Sequence, residues 1–178
     1  EDEMVNAMAA PGGHILIFRG LIDEAESSDE LAGVLAHEIE HVVQRHGIQA
    51  ILREMPAQLL VSAAMGSSPL GGNVAQIAYS LGSASYQRND ERSADAGAVR
   101  RLAAAGISPD GMIGFFRRSA SEGEVEGPMK YFASHPGSAE RMTALEQMAA
   151  ALPPAAGPAL TQQQWIALRG GCITGVVP

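Results

Sequence analysis

The sequence predicts a mainly helical α+β domain with a small antiparallel sheet, and three observations carry that prediction. At 178 residues the chain has the length of about one domain and can bury a core without disulfide staples. Two short runs, Val5 to Ala9 and His14 to Arg19, flank Pro11-Gly12-Gly13 and have the composition of two strands joined by a tight turn. Beyond Gly20, which ends that hairpin, the apolar residues recur at helical spacing.

The elements follow in order. Ser27-Ser28-Asp29-Glu30 supplies an N-cap with a Glu three residues on, and Leu31, Val34, Leu35, Ile39, Val42 and Val43 line one face, so a long helix is expected from about Asp29 to about Gln49. A Gly-rich break from 66 to 73 precedes a helix around Asn73 to Leu81. A charged helix runs from about Tyr86 to Ala105 and closes at Gly106. Ser108-Pro109 serves as N-cap and first residue of the next, which ends near Ser119. Ser121 to Lys130 is polar and reads as a mobile loop. Ser138 to Leu152 forms a further helix and Pro153 to Pro158 a linker. Thr161 with Gln164 caps a last short helix, which Trp165, Ile166 and Leu168 dock or fold over a groove. The chain thus divides into a domain at 1–152 and a linker, helix and tail at 153–178.

Composition excludes several classes. The chain is 46% hydrophobic, 4% aromatic and 18% charged, which is neither a disordered acidic tail nor a coiled coil. Its net charge is -8 and its basic residues are scattered, so no stripe suits phosphates and nucleic acid is not an expected partner. The single Cys172 forms no internal disulfide and builds no zinc ribbon, so a metal site must use His and carboxylates. The uncharged stretch Met55 to Gln87 is broken by its Gly-rich centre into two pieces of about ten residues, too short to span a bilayer. The start at Glu1-Asp2-Glu3 reads as that of an excised piece, with any targeting segment upstream.

The chemistry concentrates in His37-Glu38-Ile39-Glu40-His41, an HExxH pattern inside the expected helix. Four residues turn an α-helix by about 400°, so the two imidazoles stand about 40° apart and can share one ion. Glu38 projects beside them, where it can reach a water at the metal without being a ligand. Three candidates compete for the third ligand. His46 is rotated about 140° from the ligand face unless the helix ends first, and is assigned to helix packing. The HExxHxxGxxH spacing would need a His where Gly47 stands. Glu91 and Asp95 share a face of the charged helix, so Glu91 can complete a His₂Glu site while Asp95 orients a ligand imidazole. His14 is read as structural or as a subsite wall.

These motifs come in an order that resembles the gluzincin metallopeptidases of the CAAX prenyl protease, the Oma-type mitochondrial protease and the periplasmic outer-membrane-assembly peptidases. The residues are Asn6-Ala7, Pro11-Gly12-Gly13, Arg19-Gly20-Leu21, Glu30-Leu31-Ala32, HExxH at 37–41, Arg45-His46, Glu91-x-x-Ala94-Asp95, Ser134-His135-Pro136 and Arg141, across about residues 5–145. The resemblance implies a zincin-like metallopeptidase domain with one Zn²⁺ per chain, held by His37, His41 and Glu91, with Glu38 as general base. It implies that Asn6 and Ala7 belong to an edge strand that pairs with an extended peptide. Met8 stands where relatives usually carry an aromatic, a difference that bears on a subsite. The matching His of relatives lies near the metal, so His135 either supports a developing oxyanion or takes the fourth position and holds the enzyme off. Arg141 braces that loop or a substrate carbonyl. The implied activity is endopeptidase cleavage of protein or peptide substrates in the bacterial periplasm or at a membrane, in envelope or membrane protein quality control. Membrane association would come through a segment absent from this chain. A rival from another class is a zinc-stabilised binding or chaperone-like module whose four-ligand site activates no water, and an amidase acting on a nonpeptide is a second enzymatic reading.

Overall fold

A computed structural model describes residues 4–10, 12–54, 86–121, 135 and 139–171. The expected helix at 73–81, nearly all of the apolar stretch 55–87, most of the loop 121–130 and Cys172 lie outside them. Among the described residues the architecture is mainly helical with one two-stranded antiparallel sheet, as the periodicity predicts.

Strands β1 (Ala7–Ala10) and β2 (His14–Ile17) pair in the register Ala7↔Ile17 to Ala10↔His14. Their turn needs positive φ at Gly12 (92°) and Gly13 (90°), which glycine alone adopts without a Cβ clash. Ala7 and Ala9 are buried, and their small side chains let β1 lie close to the helix beneath it. Leu16 and Ile17 of β2 are exposed. The hairpin ends at Ile17, three residues before Gly20, which lies inside the next element. A short helix, α1 (Arg19–Glu24), follows at once and buries Leu21 and Ile22; six residues are too few to show a period in sequence.

Helix α2 (Ser28–Val43) begins as its cap predicts, with Ser27 Oγ accepting from the Glu30 amide at 3.2 Å. It does not continue to Gln49. Arg45 adopts φ 59°, and the chain restarts as α3 (His46–Glu54). Helix α4 (Arg88–Ala104) opens with a capping box between Gln87 and Asp90 and closes at Gly106 (φ 71°), where the Ile107 amide bonds the Leu102 carbonyl at 3.0 Å. Helix α5 (Asp110–Ser121) follows Ser108, whose Oγ accepts from the Asp110 amide at 3.1 Å. Helix α6 (Ala139–Ala150) and α7 (Gln162–Gly171) complete the described chain, the latter capped by Thr161 and Gln164.

Helix α2 is the centre of the molecule, packed against β1, α4 and α5. Leu31, Val34, Ala98, Leu102, Met112, Phe115, Phe116 and Leu145 form the core around it. Two glycines set how near its neighbours come. A methyl group on Gly33 of α2 would overlap the backbone and Cβ of Met112 in α5, and one on Gly97 of α4 would overlap the Glu40 side chain. From α7 only Trp165 enters the core; Ile166 and Leu168, turned away by the helical rotation, are exposed and do not share the docking expected of them. Among the described residues no helix is long and apolar enough to cross a membrane.

Candidate metal centre

On α2 the four-residue spacing stacks His37 above His41, and both side chains turn into the protein with their Nε2 atoms 2.9 Å apart. Glu91 reaches them from the first turns of α4, with Oε2 3.4 Å from His37 Nε2 and Oε1 3.3 Å from His41 Nε2. His135, from the chain between α5 and α6, brings Nδ1 to 3.3 Å from His37 Nε2 and 3.2 Å from Glu91 Oε1. All four side chains are buried. Bonds of 2.0–2.1 Å from one zinc to four donors in a tetrahedron put those donors about 3.3 Å apart. Three imidazole nitrogens and the Glu91 carboxylate, with the contacts above at 2.9–3.4 Å and all four donors within 4.8 Å of one another, could therefore hold such an ion.

A second layer surrounds the donors. Asp95 Oδ1 lies 3.0 Å from His37 Nδ1, the nitrogen turned away from the cluster. Arg141 grips both Asp95 oxygens at 2.8 Å and places Nη1 2.7 Å from Glu91 Oε2, its guanidinium lying over the Phe116 ring. It is only 4% exposed, so this guanidinium stands behind the donor cluster and not at an open surface. Tyr86 stacks on the His41 ring with centroids 3.9 Å apart, and Phe116 meets His37 edge-on. Glu38 is fully buried, and its Oε1 lies 3.3 Å from His135 Nε2.

The electrostatics follow from this crowding. Burial would lower His37, but hydrogen bonds with Asp95 and Glu91 outweigh it and raise its pKa to about 10. His41 is pushed down to about 3 by burial and by the neighbouring His37 and His135 charges, against the pull of Glu91. Glu91 and Asp95 are held well below the carboxylate range: burial opposes this, but the histidines beside Glu91, and His37 and Arg141 beside Asp95, overcome it. Burial lowers His46 and raises Tyr86.

The structure thus brings His37, Glu38, His41, Glu91, Asp95, His135 and Arg141 together. Asn6 and Ala7 lie apart from the donors, at the start of β1, with Asn6 Oδ1 accepting from the Ala7 amide at 2.8 Å. His14 is exposed on β2. His46 is not a packing residue on the far side of a helix: α2 ends before it, and its Nδ1 comes to 3.0 Å from His41 Nδ1. Tyr86 and Ser93 also belong to the site, and no spacing rule in the sequence marks them. Ala9, Ala10, Gly12, Gly13, Val42 and Ile48 line a hollow of about 200 Å³ that reaches His41.

The model of peptidase family M48 matches residues 1–149. A Vibrio cholerae protein named as a beta-barrel assembly-enhancing protease is 34% identical over 165 residues, covering 86% of this chain and 34% of the relative. Metalloprotease YcaL of Escherichia coli K12 is 35% identical over 77% of this chain and 55% of its own length. The mitochondrial metalloendopeptidase OMA1 of Schizosaccharomyces pombe is 28% identical over 82% of this chain and 44% of its own. The chain spans between about a third and just over half of the length of these relatives.

Proposed function

Because the chain belongs to peptidase family M48, a family of metal-dependent peptidases, we propose that it is the catalytic domain of a zinc metalloendopeptidase. The observation that supports this best is the buried set of donor atoms from His37, His41, Glu91 and His135, all within 4.8 Å of one another, with the Glu38 carboxylate beside it. In this reading His37, His41 and Glu91 hold the ion, and Asp95 accepts from His37 Nδ1 to keep its Nε2 a lone pair. Arg141 neutralises Asp95 and Glu91 from behind. The ion, when bound, acts as a Lewis acid on a carbonyl and raises the acidity of water.

His135 lies between the donors and Glu38, with Nδ1 toward Glu91 and His37 and Nε2 toward Glu38. A nucleophilic water activated by an ion held at His37, His41 and Glu91 would need Glu38 beside it, the side on which His135 Nε2 lies. His135 thus stands in for that water, and its withdrawal vacates the position. Glu38 then takes a proton from the water and delivers it to the leaving amine. The substrate is a protein segment extended along β1 at Ala9 and Ala10, with a side chain in the hollow they line beside His41; Asn6 and Ala7, both buried, support that strand from its start. Two relatives are named as beta-barrel assembly-enhancing proteases, and in keeping with that name our reading assigns the chain to protein quality control in a bacterial envelope, periplasmic or membrane-associated.

The test is zinc content by elemental analysis together with cleavage of casein or a quenched peptide. Wild type should carry one zinc and Glu91→Ala should lose it. Glu38→Gln should keep the zinc and lose on the order of 100-fold or more in turnover. His135→Ala should cleave faster than wild type. Full zinc in Glu91→Ala refutes the ligand assignment. Zinc held by four side chains with no cleavage by wild type or His135→Ala favours the closed, non-catalytic module, in which His135 is a permanent ligand.

A further inference from the structure

We propose that His46 and Ser93 are positioning residues that fix the tautomer and ring orientation of His41, through a one-way hydrogen-bond chain from α2 to α4. The inference rests on the reading of His41 as a metal ligand and adds to it how that ligand is held.

The far end of the chain sets its direction. The Asp90 carbonyl can only accept, and Ser93 Oγ lies 3.0 Å from it, so the hydroxyl proton is committed there. Ser93 Oγ also lies 3.1 Å from His46 Nε2. Its proton being spent, it accepts, and His46 carries its hydrogen on Nε2. A neutral His46 then presents a lone pair at Nδ1, 3.0 Å from His41 Nδ1. Two ring nitrogens at that distance share one proton, which must belong to His41 Nδ1. His41 Nε2 is left as the lone pair, and that atom faces His37 and Glu91 in the donor cluster.

Ser93 and Asp90 therefore decide, two residues away, which nitrogen of His41 is free to bind a cation. Tyr86 stacked on the same ring blocks rotation out of the plane but carries no such information. His37 obtains the same instruction from Asp95 on α4. Both ligand imidazoles of α2 thus take their orientation from the helix that supplies Glu91, one through a carboxylate and one through His46 and Ser93. The geometry depends on Arg45, whose φ of 59° ends α2 and swings His46 back toward His41. A continuous helix would carry it about 140° away.

The experiment is zinc affinity by competition with a chromogenic chelator, with ¹⁵N–¹H correlation of the histidine rings in the metal-free protein as the second readout. His46→Leu should weaken zinc binding by about 10- to 100-fold, the range for loss of an outer partner of a ligand histidine. It should also move the His41 hydrogen from Nδ1 toward Nε2. His46→Gln can accept from His41 with its Oε1 and donate to Ser93 with its amide, and should restore most of the affinity. Ser93→Ala should lose affinity in the same direction but by less. Wild-type affinity in His46→Leu, or no recovery in His46→Gln, overturns the proposal, and if His46→Leu does not fold, an unchanged His41 tautomer in Ser93→Ala does so. Wild-type affinity in His41→Ala overturns the ligand reading itself, an outcome separate from the other two.

Discussion

Asp95 stands outside the donor cluster, holding His37 at Nδ1 with one oxygen and taking the Arg141 guanidinium on both. Replacing it with Asn removes the charge that Arg141 balances and weakens the acceptor that sets the His37 tautomer. Asp95→Asn should bind zinc about 10- to 100-fold more weakly, as chelator competition would show, while Glu38 and its surroundings are untouched. At this scale the sequence was readable where chemistry repeats within one helix. His37, Glu38 and His41 declare themselves by a four-residue turn, and Glu91 with Asp95 by the same spacing. Tyr86, Ser93 and the buried grip of Arg141 did not, because each meets its partner across 45 or more residues or through a ring stack that no periodicity encodes. For His46 the reason is different: the sequence leaves open whether the helix ends before it, and the end at Val43 is what brings it to His41.

That stop belongs to the scale of elements. Strands, caps and most helix ends announce themselves through Gly12-Gly13, Ser27, Ser108, Gly106 and Thr161, residues with a local backbone preference. The break between α2 and α3 carries no such mark, since Arg45 is a good helix former held at φ 59° by its surroundings. A β-branched side chain tolerates that region poorly and glycine freely. Arg45→Val should therefore lose about 1–3 kcal/mol of stability in urea unfolding, whereas Arg45→Gly should be close to neutral. Loss of equal size in both would mean that the Arg side chain, not the backbone angle, matters. The short α1 was equally invisible, being less than two turns long.

Across the whole molecule, α2 is tied to its neighbours by charge as well as by packing. Arg118 of α5 meets both Glu30 oxygens at 2.7 Å, and Arg101 of α4 clasps Glu40. Burial would raise the Glu40 carboxyl, but Gln44 and Arg101 hold it below its ordinary value. A depressed carboxylate stabilises the fold above the unfolded pKa of about 4.3, and that contribution is lost as pH falls through the lower folded value. Glu40→Gln should thus cost about 1 kcal/mol in denaturant unfolding at pH 7, and the gap to wild type should close below about pH 4.

Gly33 and Gly97 leave α2 no clearance from Met112 or for the Glu40 side chain to shift, so the helix cannot slide or part from α4 and α5 without unpacking the core. Three of the four donors ride on those helices, while His135 comes from a separate stretch between α5 and α6. On the role proposed for His135, turnover and melting temperature are in consequence independently adjustable. A partner or substitution acting on His135 can change the first without the second, and enlarging Gly33 lowers the second before it alters the spacing of the histidines.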